Sequence, residues 1–124
     1  MAVHKKPKIE QIQWLSHHDA MLSVSAGDDL EIIKSQVVGG VAKLWECKGE
    51  KHSMLVVTRV DPGPELCIVL GEGSGMMEFA PYFLTVAKSK GMSVRTHVTR
   101  DGLVKMWNKL GLKVEEKILR LRNG

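Results

Sequence analysis

Apolar positions along this chain change period several times, and each change marks an element. Ile9, Ile12, Leu15, Met21 and Val24 recur at near-helical spacing through KIEQIQWLSHHDAMLSV, which predicts a first helix. Gly27 interrupts that pattern. DDLEIIKSQVVGG then predicts a second, shorter helix, capped at its start by Asp28 or Asp29 and ended by Gly39 and Gly40. From Val41 the period falls to two. VAKLWECKG and SMLVVTRVD are β-rich runs joined by KGEKH, a hairpin signature. DPGP, Asp61 to Pro64, forbids regular structure before a third run, ELCIVL, apolar enough to be central in a sheet. Val41 to Leu70 therefore reads as an antiparallel meander of three strands.

The stretch CIVLGEGSGMMEF, Cys67 to Phe79, breaks a β-branched run with three alternating glycines and then turns helical. In MMEFAPYFLTVAKSKG the stripe is Phe79, Phe83, Val86 and Ala87, with Met76, Ala80 and Leu84 beside it. Pro81 falls near the first turn, where its missing N–H is tolerated, and Gly91 sits where a helix-ending glycine belongs. SVRTHVTR alternates as a strand, DGLVKMWNKLG reads as a short amphipathic helix, and LKVEEKILRL as one last strand. A three-strand meander feeding a β-α-β unit predicts an α+β protein with helices on both faces of a mixed sheet.

At 124 residues the chain fits a single domain, with residues 1–40 as a helical N-terminal part. Its 44% of hydrophobic residues suffices for one core, and 26% charged residues gives an ordinary hydrated surface. The net charge of +4 is interspersed, and the basic ends HKKPK and KILRLRNG read as solvated termini, so a nucleic-acid partner is not expected. No apolar run has the length of a membrane span, and the start lacks a signal-peptide pattern, which points to the cytoplasm. Cys47 and Cys67 stand in strand-like runs with no ligand spacing around them, so they read as core thiols and no metal site is expected. His17 and His18, in a polar helical stretch, are expected to face solvent.

The strand, glycine turn and helix start together could hold a phosphate. Helix N-termini carry unpaired N–H donors and the positive end of the dipole, and glycines let backbone come close. The same glycines suit plain close packing of a strand-to-helix turn. Both readings stay open here.

Taken with the order of elements, the pieces VAKLWECKGEKHSMLVVTRV, ELCIVLGEGSG, MMEFAPYFLTVAKSKGM and SVRTHVTRDGLVKMWNKLGLKVEEKILRL resemble the acyl-CoA N-acyltransferase fold of the GNAT superfamily. The likeness is to its small members encoded by tailed bacteriophages, and MWNKLGL is similar to that superfamily's LYEKLGF segment. The resemblance runs over residues 41–124. It implies that the strands Glu65 to Leu70 and Ser93 to Arg100 lie parallel and splay apart, admitting acetyl-CoA or another acyl-CoA. Leu70, Gly71, Gly73, Ser74, Gly75 and Met76 would then take the cofactor, and an amine would be the acceptor. The setting it implies is a bacterial host's cytoplasm. Gly73→Val is accordingly expected to remove the phosphate cradle while leaving the fold.

Two departures matter. The superfamily's Arg/Gln before its phosphate glycines falls here on Leu70 or Ile68, and Glu72 adds a charge that repels a pyrophosphate by about 1 kcal/mol if solvated. The tyrosine that would protonate the leaving thiolate falls on Trp107, whose indole is no acid at neutral pH, so Trp107 reads as a core or cleft residue. Glu65, Glu72 and His97 are the candidates for deprotonating an amine. Each has an ordinary alternative: a strand-end charge, loop solvation and a sheet residue. A second function follows from the same departures. The chain would be a non-catalytic phage virion, assembly or host-interaction protein on this scaffold, partnered by a phage or host protein.

Overall fold

A computed structural model describes residues 7–97, 109, 111–115 and 118–121. The elements run β1 (Lys8–Ile12), α1 (Ser16–Ala26), a single 3-10 turn (Gly27–Asp29), α2 (Leu30–Val38), β2 (Ala42–Lys48), β3 (Ser53–Asp61), β4 (Glu65–Gly73), α3 (Met76–Ser89), β5 (Ser93–His97), β6 (Lys113–Glu115) and β7 (Ile118–Leu121). The described strands form one seven-stranded sheet in the order β1-β2-β3-β4-β5-β7-β6. The expected meander is β2-β3-β4, antiparallel throughout. β5 lies parallel to β4, from Glu65 opposite Ser93 to Ile68 opposite Thr96, with α3 between them in sequence.

Three expectations are corrected. The first helix begins later than its spacing suggested, because Lys8–Ile12 is an edge strand paired with β2. Ile9 and Ile12 are three apart, which fits one helix face. In a strand that spacing sends them to opposite faces, and Ile9 indeed joins one core cluster and Ile12 the other. A strand between two apolar layers needs an apolar residue on each side. LKVEEKILRL is also two strands, not one: β6 and β7 pair as a hairpin, with Glu115 opposite Ile118. The broken alternation at Glu115-Glu116 marked the end of β6. Pro81, finally, sits in the second turn of α3 rather than the first, so the Met77 carbonyl loses its usual amide partner. The helix expected over 101–111, with Trp107, lies outside the described residues except for Lys109 and Gly111.

The sheet separates two cores. On one face α3 lays Phe79, Ala80, Phe83 and Ala87 over Val56, Leu66, Ile68 and Val94. Ala80 takes the buried place expected of Val86, which is only half-buried. On the other face α1 and α2 bring Leu22, Ala26 and Ile33 against Leu44, Leu55, Val57 and Leu70. Cys47 and Cys67 are buried free thiols, and burial, with help from Glu46, pushes the Cys47 thiol up to about 11. Such a group stays protonated and packs as an apolar side chain.

Across the start of β4, Arg59 Nε holds Asp61 at 2.6 Å and Arg95 Nη2 reaches the same carboxylate at 2.5 Å. Arg95 Nη1 also stands 3.6 Å from Glu65, and Arg59 donates to Gln36 at 3.1 Å. The Arg59 hydrogen bond, chiefly, holds the Asp61 carboxyl below its ordinary range. Three strands and α2 are tied together here, at the end of β4 away from the glycines.

His18 does not face solvent. It is buried, and its Nδ1 accepts the Leu15 N–H at 2.8 Å, satisfying a donor at the start of α1. Burial lowers its pKa below the ordinary 6.5, His17 beside it adds to this, and Glu46 and Asp19 oppose it. The folded state thus prefers neutral His18, so its contribution is present above the ordinary value and is lost as pH falls through the folded one. Denaturant unfolding midpoints should therefore fall as pH is lowered from neutral through 6.5 and below, and His18→Gln should flatten that part of the curve. An unchanged pH dependence in His18→Gln would show that other groups carry it.

Candidate functional site

Hydrogen-bonded pairing of β4 with β5 ends at Ile68 and Thr96. β4 nevertheless continues to Gly73, still paired with β3, where Gly71 opposes Val56 and Gly73 opposes Met54. Two of the expected turn glycines are thus strand residues, and only Ser74 and Gly75 form the turn. Between Val57 and Thr58 the register with β3 slips, which leaves Val69 as an extra residue on β4. A bulge bends and twists its strand. It lies one residue past the last described pair of β4 with β5, and from there the β5-side donors and acceptors of β4 have no strand partner among the described residues.

Past the bulge β4 leads through Ser74 and Gly75 into the start of α3. Gly75, at φ 96, precedes the helix, and its carbonyl accepts the Glu78 and Phe79 N–H groups at 2.9 and 3.1 Å. The N–H groups of Met76 and Met77 make no hydrogen bond among the described residues. Among the described residues these two donors at the positive helix end have no partner, and such a pair can take an anion.

Glycine is required here for packing as well. The turn lies under the β2–β3 hairpin. A Cβ at Gly75 would stand 2.3 Å from His52 Cβ, and one at Gly73 would stand 2.4 Å from the Ser53 carbonyl oxygen. His52 Nδ1 lies 3.1 Å from Ser74 Oγ. The expectation that Gly73→Val spares the fold is therefore overturned, by the backbone of β3. Around the turn the side chains are mostly apolar or acidic. Leu70 is buried in the α1/α2 core, and the Glu78 carboxylate lies against Gly49.

The bulge also sets where Glu72 goes. Because Val69 is extra, Leu70 and Glu72 both fall on the α1/α2 face, while Gly71 faces Met54 and Met76 on the other. Ser25 Oγ of α1 donates to Glu72 Oε2 and lies 3.4 Å from the Gly71 carbonyl. Glu72 is thus turned away from the face that carries α3, so the repulsion expected from a charge inside the loop is reduced.

Of the three candidate bases, two lie at or beyond the last described β4/β5 pair. His97 ends β5, one residue past its last pair with β4. Glu72 lies three residues beyond the bulge. Glu65 starts β4, roughly 23 Å from Glu72 at the rise of an extended strand, and is held in the Arg95–Asp61 network. Sequence reasoning missed the bulge, the His52–Ser74 contact and Ser25. ELCIVL is apolar at every position but its first, so no loss of alternation could reveal an extra residue. No group of three or more His, Cys, Asp or Glu among the described residues is placed to share a metal ion. Nor is any described helix long and apolar enough to cross a membrane.

No protein-family model matches the chain, and no curated protein matches it. Solved structures do. The fold is similar to a Bacillus subtilis acetyltransferase in complex with CoA, with TM-score 0.64 and 10% identity over 90% of this chain and 79% of that one. It is also similar to AtaT complexed with acetyl-methionyl-tRNAfMet, with TM-score 0.54 and 8% identity over 94% of each chain. What is shared at such identities is architecture: the chain has an α+β, GNAT-like mixed sheet, an antiparallel meander feeding a β-α-β unit with helices on both faces.

Proposed function

We propose that the protein is an acyl-CoA-dependent N-acyltransferase with a degenerate cofactor turn. One observation supports this reading: β4, bulged at Val69, runs on past its last described pair with β5 toward two N–H groups at the start of α3 that have no partner among the described residues. The β5-side edge of β4 from Val69 to Gly73, unpaired among the described residues, would suit the amide-bearing arm of acyl-CoA, lying along it like an added strand. Ser74, Gly75 and the Met76 and Met77 amides would take the pyrophosphate, with backbone donors alone. Acyl-CoA supplies the thioester. An amine nitrogen attacks its carbonyl carbon, the C–N bond forms, the C–S bond breaks and the thiolate leaves. The amine must shed a proton, and His97, the last residue of β5, is the base we assign.

The second reading is a non-catalytic phage virion, assembly or host-interaction protein. It is favoured by the turn's own packing: Gly73 and Gly75 serve the β2–β3 hairpin, and Glu78 already places a carboxylate in the first turn of α3.

Calorimetric titration and thermal unfolding with acetyl-CoA separate the two. A cofactor at ten times its Kd should stabilise the fold by about 1.4 kcal/mol, and labelled acetyl groups should pass to a primary amine. No heat and no shift at millimolar acetyl-CoA would reject the transferase in favour of the interaction protein.

A further inference from the structure

β1 stops short of the strand it pairs with. Its last residue, Ile12, lies opposite Leu44, whereas β2 extends to Lys43 and Ala42, which still pair with β3. Past Ile12 the chain turns off toward α1, so the β1-side edge of Ala42 and Lys43 has no strand partner among the described residues. The notch holds a cavity of about 310 Å³, bordered by Val37 and Gly40 at the end of α2. Every residue lining it is described, and β3 and β4 separate it from β5. Its two sides differ. Strand alternation sends Ile12, Ala42 and Leu44 to the α1/α2 core, and Gln11 and Lys43 to the opposite face of the sheet. Trp14 and Val37 join the apolar side. No acidic residue lines the cavity, and the Lys43 ammonium and the Gln11 and Gln13 side-chain amides have no partner among the described residues.

We propose that this notch binds a small carboxylic acid with an apolar tail. The tail lies against Trp14, Val37 and Leu44, where it leaves water. The carboxylate takes the Lys43 ammonium and the two glutamine amides, which are donors without a claim on them. The orientation is fixed by charge. The end of α2 is the negative end of its dipole and repels an anion, so the charged head belongs on the Lys43 side. One cation suits a monoanion, because a second negative charge would go unpaired beside apolar side chains. A cavity at the lower limit of ligand sites fits an acid of about six carbons. The inference does not depend on the acyltransferase reading, since no residue of β4 or α3 takes part in it.

Titration of the nitrogen-15-labelled protein with hexanoate tests this, with acetate, hexanol and hexylamine as controls. Hexanoate should shift the Gly40 and Lys43 amide signals and the Trp14 indole N–H. Acetate, four methylenes shorter, should bind at least about tenfold more weakly. Hexanol should bind about two- to fivefold more weakly, the worth of an exposed charge pair, and hexylamine should not bind. Lys43 is exposed, so its substitution should leave the urea midpoint near that of the parent. Lys43→Gln should bring hexanoate down to the affinity of hexanol and leave hexanol unchanged. Lys43→Glu should abolish hexanoate binding and admit hexylamine. Shifts centred on the start of α3, equal affinities for hexanoate and hexanol in the parent, or no perturbation at millimolar hexanoate would each overturn the inference. So would a folded Lys43→Glu protein that binds hexanoate as the parent does.

Discussion

Replacing Phe83 by Ala should lower the stability of the domain by about 3–5 kcal/mol, the usual cost of truncating a buried phenylalanine. Phe83 is 3% exposed and lies on the α3 face against the sheet. Its ring meets Trp45 edge-on at 5.9 Å and Tyr82 at 5.4 Å, so truncation forfeits two aromatic contacts as well as buried area. Trp45 cannot easily follow into the space. Its indole Nε1 donates to the buried Thr58 hydroxyl at 2.8 Å, which fixes the ring. A domain of this size is stable by about 5–15 kcal/mol. Most of that margin could therefore go, and urea unfolding should show a much lower midpoint at unchanged slope. Tyr82→Ala, one residue along on the exposed side, should cost far less. Equal midpoints for Phe83→Ala and the parent protein would mean that α3 faces the sheet with another stripe.

The elements legible in the sequence are those in which one face is buried and the other is wet. The α3 stripe is such a case, and so is α2, which starts after Asp29 and ends at Gly39 as expected, although the expected aspartate cap makes no side-chain hydrogen bond and Asp28 and Asp29 belong to the preceding 3-10 turn. Legibility fails where both faces are covered. β1 carries Ile9 and Ile12 into separate cores, and that spacing is indistinguishable from a helix face. β4 is apolar on both sides, so the bulge at Val69 leaves no trace in the pattern, although it decides where Leu70 and Glu72 point. His18 fails for a different reason. A histidine pair among polar residues reads as hydrated, yet one ring turns inward to serve the helix start, a local hydrogen bond that composition does not encode. Of the candidate site, the strand-turn-helix frame was visible. What the sequence did not reveal is that its glycines press against the β2–β3 hairpin, because that contact comes from a hairpin about twenty residues earlier.

That contact sets the largest expected effect of a single substitution. Gly73→Val should abolish cooperative folding or leave the chain barely stable, whether or not a cofactor ever binds. Gly73 holds φ at +121, a backbone state that valine with its branched Cβ resists at a cost of about 1–3 kcal/mol. The added Cβ would also stand 2.4 Å from the Ser53 carbonyl oxygen and 2.8 Å from Met54 Cα. Those are backbone atoms of a paired strand, so nothing can swing aside without breaking the β3–β4 ladder. Gly71 differs. Its Cβ would meet the terminal methyls of Met76 and Met54 at 2.8 and 2.9 Å, and such flexible side-chain ends can move. Gly71→Ala should therefore unfold cooperatively within about 1–2 kcal/mol of the parent, the lower part of the overpacking range. It places a methyl on the α3 side of β4, beside the unpaired edge proposed to hold acyl-CoA. A stable Gly71→Ala protein that no longer responds to acetyl-CoA would assign the edge to the cofactor. An unaltered response would remove β4 beyond the bulge from the binding surface. A well-folded Gly73→Val protein would show that the hairpin does not sit against the turn.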